Sequence, residues 1–180
     1  DTLAYRDLGP DGGTGFEAYL IPRERIPSPQ PQYPALGNLG NVIVFLGYDV
    51  NAPSVSGEAL DVTLYWRALR DGDRDDYAFF AHLVDDLGFH WGSQTFFSYP
   101  SIQWRQGEIM VFRKRIAIAP GAPPTSYWLE LGVVSSSLDA RLPVLNEAGQ
   151  MAGTAARVGP FQVARAVRGA SQQQYPSKFT

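Results

Sequence analysis

Cysteine is absent from this chain of 180 residues, and so is any long apolar run. Without cysteine the chain cannot form a disulfide framework, a thiolate zinc site or a thiol nucleophile. This lack leaves the compartment open, because many secreted bacterial proteins also contain no cysteine. No stretch approaches the roughly 18 consecutive apolar residues that a membrane span needs, so the sequence predicts no transmembrane segment.

Strong charge of either sign is also lacking. The formal net charge is −3, and no basic run is present. These features argue against a nucleic-acid partner and against electrostatic attachment to a membrane surface. The chain begins at Asp1 rather than at methionine, and we therefore expect a processed protein or an excised fragment, from which any targeting or anchoring segment could have been removed.

Helical periodicity is missing as well, and the clearest patterns are those of strands within Leu60–Gln94. In Leu60–Ala68 every even position is apolar and every odd position carries a polar atom, which is typical of a strand with one buried face. Tyr77–Val84 is apolar on both faces apart from His82. We therefore expect this second strand to lie inside a sheet with both faces covered.

Alternating apolar residues and closely spaced turn formers predict further strands: Asn41–Val50, Ile109–Ala119, Ser126–Val134, Arg141–Leu145 and Arg157–Val163. Lys114 interrupts the apolar phase of its strand, which indicates a bulge or an edge position. About seven or eight strands with short turns favour an all-β fold, a two-layer antiparallel β-sandwich of the jelly-roll or immunoglobulin-like type. The predicted core includes Leu64, Trp66, Phe79 and Leu129.

Three regions are predicted along the chain. Residues 1–36 form an extended arm or linker, because Ile21–Pro34 contains five prolines, which cannot donate regular ladder hydrogen bonds. Residues 37–165 form the sandwich, and residues 166–180 form a loosely attached tail. Leaving the aromatic and aliphatic residues of the arm in water is costly, so we expect the arm to dock along a sandwich face or on a neighbouring subunit.

A resemblance to a known family extends over Gly37 to Val163. It rests on the ordered segments GNLGNVIVFLGYDV, LDVTLYWRAL, YAFFAHLVDDLG, YPSIQWRQGEI, SYWLELGVVS and RLPVLNEAGQ. In order and spacing they resemble the soluble domain at the C-terminal end of bacterial membrane glycosyltransferases of the polyprenol-phosphate-sugar type. Related domains occur in surface proteins of filamentous phototrophic bacteria. Ser135–Asp139 departs from the family pattern, which has a short turn there, and this loop is a candidate for a specialised role.

The resemblance implies a non-catalytic accessory domain outside the cytoplasm, at the cell surface or on the periplasmic side of the membrane. The implied partner is another protein or a membrane enzyme. No catalytic residue is carried over, because the glycosyltransferase chemistry of those proteins belongs to a membrane portion that this chain does not contain.

An acidic loop raises the question of a metal site. Asp71, Asp73 and Asp75 stand at the alternate spacing with which calcium loops present oxygen ligands. The sixth position of such a loop should be glycine and is Asp76, while the twelfth should be glutamate and is His82. A solvated turn between two strands is the favoured interpretation, and a calcium site is the alternative.

Histidine chemistry is limited to His82 and His90. The pair could hold zinc together with a carboxylate, but His82 lies in an apolar strand, and we favour structural histidines that are hydrogen-bonded. No GxSxG elbow that would activate a serine is present. The acidic residues fall mainly in turns rather than as a facing pair for glycoside cleavage. We therefore predict no catalytic residue, no cofactor and no metal.

Aromatic residues concentrate in the region that follows the central strands: Trp91, Phe96, Phe97, Tyr99 and Trp104. One interpretation is a carbohydrate-binding platform, because sugar faces stack on exposed rings while neighbouring polar side chains fix the hydroxyls. Its residues would be Trp91, Tyr99, Trp104, Gln103 and Arg105. The favoured alternative is that these rings fold back as a cap over one end of the core.

Three functional hypotheses follow. The first is a structural or protein-interaction domain, the second is a carbohydrate-binding module, and the third and least favoured is an independent hydrolase. An exposed aromatic platform beside polar side chains would favour the second hypothesis, and a flat apolar patch would favour the first. A pocket that joins a histidine to a nucleophile would favour the third.

Overall fold

The computed structural model describes residues 2–8, 14–20, 29–51 and 54–166, and it confirms the predicted all-β two-layer sandwich. The chain divides into two compact units, Asp1–Gln30 and Pro31–Thr180. In the first unit, β1 (Thr2–Leu8) pairs antiparallel with β2 (Thr14–Leu20). This hairpin lies where the sequence predicts an extended arm, and the prolines of Ile21–Pro34 follow it. Within the described ranges, no helix has the length and apolarity that crossing a bilayer requires.

The second unit contains two sheets. The β6 sheet has six strands: β3 (Tyr33–Leu39), β4 (Ile43–Asn51), β6 (Ala59–Ala68), β9 (Ile109–Ala117), β12 (Val144–Leu145) and β13 (Met151–Gly153). Their order across the sheet is β13–β12–β3–β4–β6–β9, and every pairing is antiparallel. The sheet therefore ends at β9 on one side, which confirms the edge position that Lys114 predicts.

The β7 sheet also has six strands: β5 (Ser54–Val55), β7 (Tyr77–Val84), β8 (His90–Phe97), β10 (Ser126–Ser135), β11 (Ala140–Arg141) and β14 (Ala156–Ala164). The order is β5–β14–β10–β7–β8, with β11 paired to the end of β10. All pairings are antiparallel except that of β5 with β14, which is parallel. The second predicted strand thus lies inside its sheet, between β10 and β8, as expected.

The sandwich begins at Tyr33 rather than at Gly37. Pro34 lies within β3, beside an irregularity in the pairing between Pro34 and Gly37. A proline, which lacks a backbone N–H, is tolerated in a strand at such a position. Of the predicted tail, only Ala166 is described, and residues 167–180 lie outside the described part of the chain.

The core lies between the two sheets and follows the sequence pattern closely. Leu60, Val62, Leu64, Trp66 and Ala68 are buried along β6. Tyr127, Leu129, Leu131 and Val133 are buried along β10. Rings from both sheets meet at the centre, where Trp66 and Phe79 lie edge to face with their centroids 5.3 Å apart.

The outward face of β7 is also covered, as the sequence predicts. Phe80 points away from the core and is nonetheless buried. The Arg141 guanidinium lies over its ring, with Cζ 4.4 Å from the ring centroid. On the neighbouring strand, the ring occupies the space that a Cβ atom would need at Gly132. Gly132 therefore makes room for Phe80, and this close packing explains why β7 has apolar residues on both faces.

Candidate functional site

An open depression of about 500 Å³ lies on the solvent face of the β6 sheet, over β4, β6 and β9. We name it the polar groove. Its lining residues are Asp49, Val50, Asn51, Asp61, Val62, Thr63, Arg113, Lys114 and Arg115. A volume of this size lies within the range of small-molecule binding sites.

Strand register brings together side chains that are far apart in the sequence. Six outward-facing side chains form two rows across the three strands: Asn51, Asp61 and Arg115 in one row, and Asp49, Thr63 and Arg113 in the next. Neighbouring strands lie about 4.8 Å apart, and residues two apart on one strand lie about 7 Å apart. One small ligand can therefore reach all six groups.

The β4 wall of the polar groove is held in place by Asp49. Its Oδ2 accepts a hydrogen bond from the Tyr65 hydroxyl, and its Oδ1 accepts one of 2.6 Å from the Gln32 backbone N–H. The hydrogen bond to Asp49 raises the pKa of Tyr65, and burial raises it further. Tyr65 therefore stays protonated and continues to donate.

The segment Pro31–Tyr33 runs beside β4 next to this wall, and Tyr33 pairs with Tyr48. Gly47 has φ +140°, and a Cβ atom there would meet the Tyr33 carbonyl oxygen and lie 2.7 Å from Pro31 Cγ. Only glycine permits so close an approach at that φ. Pro31–Tyr33, at the end of the predicted arm, therefore packs closely on β4. The side chains of residues 1–28 lie outside the described part of the chain, so docking of the arm stays a prediction.

The β9 wall of the polar groove carries two exposed arginines. Arg115 Nε lies 3.8 Å from Asp61 Oδ1, and the two side chains are 75% and 52% exposed. Such a loose, solvated ion pair contributes little to stability. Arg113 forms no hydrogen bond or ion pair with any residue in the described ranges, and its charge acts on the nearby Tyr65 hydroxyl.

The predicted aromatic platform is not formed, because Trp104 belongs to the core. Its side chain is 1% exposed and stacks on Tyr77, with the ring centroids 5.3 Å apart. The indole Nε1–H donates to Ser98 Oγ over 3.2 Å, so its polar atom is satisfied internally. The prediction of Trp104 as an exposed binding ring is wrong, and this ring instead caps the core, as the alternative interpretation expects.

The other platform residues do not all lie on one surface, although Arg105 is close enough to Tyr99 to act on its hydroxyl. Trp91 lies near the start of β8, where its Nε1–H donates to Asp85 Oδ2 over 2.9 Å. Tyr99 follows the other end of β8, and that end lies about 20 Å from Trp91 at the usual rise per residue. Gln103 and Arg105 are exposed near Tyr99 in sequence, and the Arg105 guanidinium donates to the Trp104 carbonyl over 3.1 Å. These residues therefore cannot form a single platform with Trp91.

The acidic loop uses its carboxylates to fold itself. Asp73 Oδ2 accepts hydrogen bonds from the Arg70 guanidinium over 2.7 Å and from the Tyr77 hydroxyl over 3.2 Å. Asp71 Oδ1 accepts one of 2.9 Å from the Gln106 N–H. Burial and the nearby Asp73 charge raise the pKa of Tyr77 to about 12. Across the described residues, no three acidic or histidine side chains converge as metal ligands would.

Asp75 ties this loop to Ser135–Asp139, the segment that departs from the family pattern. Its Oδ2 accepts a hydrogen bond from the Ser135 hydroxyl, and its Oδ1 accepts one of 2.8 Å from the Ser137 N–H. Burial by itself raises the pKa of Asp75, but these hydrogen bonds outweigh it and hold the pKa below its ordinary value. The two serines thus complete a structural clip between two loops.

The two histidines lie next to each other on the outer face of the β7 sheet, with ring centroids 4.7 Å apart. His82 Nδ1 is buried and has no hydrogen-bond partner among the described residues, which contradicts the expectation of a hydrogen-bonded histidine. The His82 ring instead packs on Phe80, with centroids 4.8 Å apart. Burial and the neighbouring His90 lower the pKa of His82, so it is neutral at pH 7.

The polar groove is the site that the sequence analysis missed. The alternation in Leu60–Ala68 already places Asp61 and Thr63 on the solvent face. Nothing in a single sequence shows which residues of β4 and β9 stand beside them, because register depends on pairing between distant segments.

Comparisons with known proteins do not identify a family for this chain. The sequence matches no protein-family model and no curated protein. One similar solved structure is a beta-glucuronidase from glycoside hydrolase family 2, with 14% sequence identity and a TM-score of 0.37. The similarity covers 56% of this chain and 11% of that enzyme's chain. A likeness of this extent supports no conclusion about family or activity.

Proposed function

We propose that this chain is a non-catalytic accessory domain that works outside the cytoplasm and binds a saccharide in the polar groove. The observation that carries the proposal is the arrangement of six polar side chains in two rows on one open sheet face. The accessory role and the location outside the cytoplasm rest on the resemblance to the glycosyltransferase-associated domain. A protein or membrane-enzyme partner stays a prediction of that resemblance.

The chemistry of the groove suits a ligand rich in hydroxyl groups. A hydroxyl both donates and accepts hydrogen bonds, and the groove offers both functions. Asp61 accepts, Arg113 donates, and the Asn51 amide does both. A protein partner would instead be held mainly by aromatic and apolar anchors in dry pockets, and large apolar side chains do not line this groove.

The setting of the groove favours binding over catalysis. Its side chains stand on three paired strands, so the backbone that carries them is held in place before a ligand arrives. The carboxylate of Asp49 already accepts two hydrogen bonds from its own chain, and it serves as part of a fixed wall. Because the groove is a shallow sheet surface, it is open to water, whereas catalytic sites gain much of their electrostatic power by excluding water.

Nuclear magnetic resonance titration tests this proposal directly. Labelled protein is titrated with defined neutral and acidic oligosaccharides, and backbone amide shifts are followed. We expect shifts that saturate at Asn51, Thr63 and Arg113, with the saccharide recovered intact after prolonged incubation. Shifts confined to the β7 sheet, no binding to any saccharide, or cleavage of the ligand would contradict the proposal.

Variants separate the groove from the rest of the surface. Thr63→Val removes a hydroxyl from the floor of the groove with little change in shape, and we expect it to weaken binding about fivefold or more, as loss of a net hydrogen bond does. Thr95→Val makes the same change at an exposed position of β8 on the other sheet and should leave binding unchanged. Equal effects of the two variants would contradict a site in the groove.

A further inference from the structure

We infer that the saccharide bound in the polar groove carries a carboxylate, and that Arg113 and Arg115 are the residues that recognise it. This inference rests on the proposed function and specifies the ligand of that same site. It starts from the unequal charge of the two walls, because β9 presents two cations to the groove while β4 presents Asp49 and the neutral Asn51.

Arg113 is the primary recognition group. It is exposed, it faces the groove beside Thr63, and it has no hydrogen-bond or ion-pair partner within residues 29–51 and 54–166. A guanidinium presents several N–H donors in a fixed plane that matches the two oxygens of a carboxylate. Binding such a ligand therefore breaks no existing interaction of Arg113 with those residues.

Arg115 can add a second contact at low cost. Its partner Asp61 is 3.8 Å away, and both side chains are largely exposed, so exchange of this contact for a ligand carboxylate loses little. Residues 113 and 115 point the same way from one strand, about 7 Å apart. A carboxylate held between them would leave the sugar ring over Thr63, with its hydroxyls directed towards β4.

Three arginines outside the groove are already engaged. Arg141 covers the Phe80 ring, and Arg157 covers the Trp128 ring with its Cζ 4.6 Å from the ring centroid. Arg70 is paired with Asp73 at 2.7 Å. Arg67, on the outer face of β6, also has no hydrogen-bond or ion-pair partner among the described residues, but it lies outside the groove.

Asp49 and Asp61 set a limit on how much negative charge the ligand can carry. Both line the groove. A ligand that carries several anionic groups would place at least one of them close to an aspartate, and the repulsion between the two charges would weaken binding. A single uronic-acid carboxylate on the β9 side, with neutral hydroxyls facing β4, satisfies both walls. A densely sulfated chain does not.

Calorimetric titration with matched ligands tests the inference. An oligosaccharide containing uronic acid is compared with the same oligosaccharide after its carboxylates have been reduced to primary alcohols. We expect the acidic form to bind at least about tenfold more tightly, because hydrogen bonds to charged groups are the stronger ones. The difference should shrink as salt is added, since exposed charges are screened.

Protein variants complete the test. Arg113→Gln should weaken binding of the acidic form much more than binding of the reduced form, so that the preference for the acidic form disappears. Arg67→Gln is the matched control, because Arg67 is exposed on the same face of β6 but lies outside the groove, and it should keep the full preference. Melting temperatures of both variants show that they are folded.

The outcomes distinguish this inference from the proposed function. Equal binding of the acidic and reduced forms would overturn the carboxylate inference and leave saccharide binding intact. If the protein binds neither form and no other saccharide, both the carboxylate inference and the proposed function are overturned. An acidic peptide of similar charge that binds in the groove more tightly than either sugar would show that the site recognises a protein and would also overturn both.

Discussion

Leu64 is a core residue whose side chain is enclosed on all sides by its neighbours. Its side chain is 0% exposed and lies on the buried face of β6, next to the ring-rich centre of the sandwich. A leucine in such a place is surrounded by atoms from both sheets. Removing most of its side chain leaves a cavity that the packed strands cannot close.

Replacement of Leu64 by alanine should therefore lower the free energy of unfolding by about 2–5 kcal/mol. Denaturant unfolding followed by tryptophan fluorescence measures this change. Leu36→Ala is the control, because Leu36 is 82% exposed and its truncation should change stability by less than about 0.5 kcal/mol. A Leu64→Ala variant as stable as the control would contradict the observed packing.

At the scale of elements, the acidic loop and the Ser135–Asp139 loop act as one unit. Asp75 accepts hydrogen bonds from both Ser135 and Ser137, which belong to the end of β10 and the turn that follows it. The Ser101 hydroxyl donates to the carbonyls of Asp73 and Asp75 from the connection after β8. Three loops are thus joined at one end of the sandwich through a single short segment.

Because of these hydrogen bonds to Asp75, the free energy of unfolding should decrease as the pH falls. The pKa of Asp75 is lower in the folded state than its ordinary value, so the unfolded state binds a proton more readily. Its stabilising contribution is therefore present above the unfolded-state pKa of about 3.9 and is lost as the pH falls through the lower folded-state pKa. Unfolding experiments from pH 6 to pH 3 should show a smaller loss of stability in Asp75→Ala than in the wild type. The same pH dependence in both would mean that other carboxylates dominate.

The strands could largely be predicted from the sequence, whereas the site could not. Alternation in Leu60–Ala68 is a local signal, and it correctly assigns Leu64 to the core and Asp61 to the surface. Trp104 gave no such signal, because a ring in an irregular connection has no period that shows which way it points. The polar groove also depends on register, which only long-range pairing determines.

For the molecule as a whole, the exposed edge at β9 needs protection against pairing with other chains. Lys114, an inward-facing residue of β9, provides this protection. Its side chain points between the sheets, with Nζ 4.2 Å from the centroid of the Phe96 ring on β8. An ammonium group can rest on a ring face near solvent, but a second strand added along β9 would place this charge in a dry interface.

Lys114→Val should therefore increase self-association. Sedimentation velocity over a range of protein concentrations should show a larger share of dimers or higher species in the variant than in the wild type. Lys114→Arg keeps the charge and is the matched control, with association expected at the wild-type level. If Lys114→Val and Lys114→Arg sediment alike, the charge does not guard this edge.

The parallel pairing of β5 with β14 has a consequence for how the chain is made. It joins Ser54 to Val163, while β3 joins Leu39 to Val144 in β12, so both sheets close through partners that are distant in sequence. Folds dominated by such contacts refold in milliseconds to seconds rather than microseconds. During synthesis, most of one edge of β10 stays unpaired until β14 has emerged from the ribosome. The nascent sandwich therefore exposes an unpaired strand edge, which favours misassembly, until nearly all of its residues have been made.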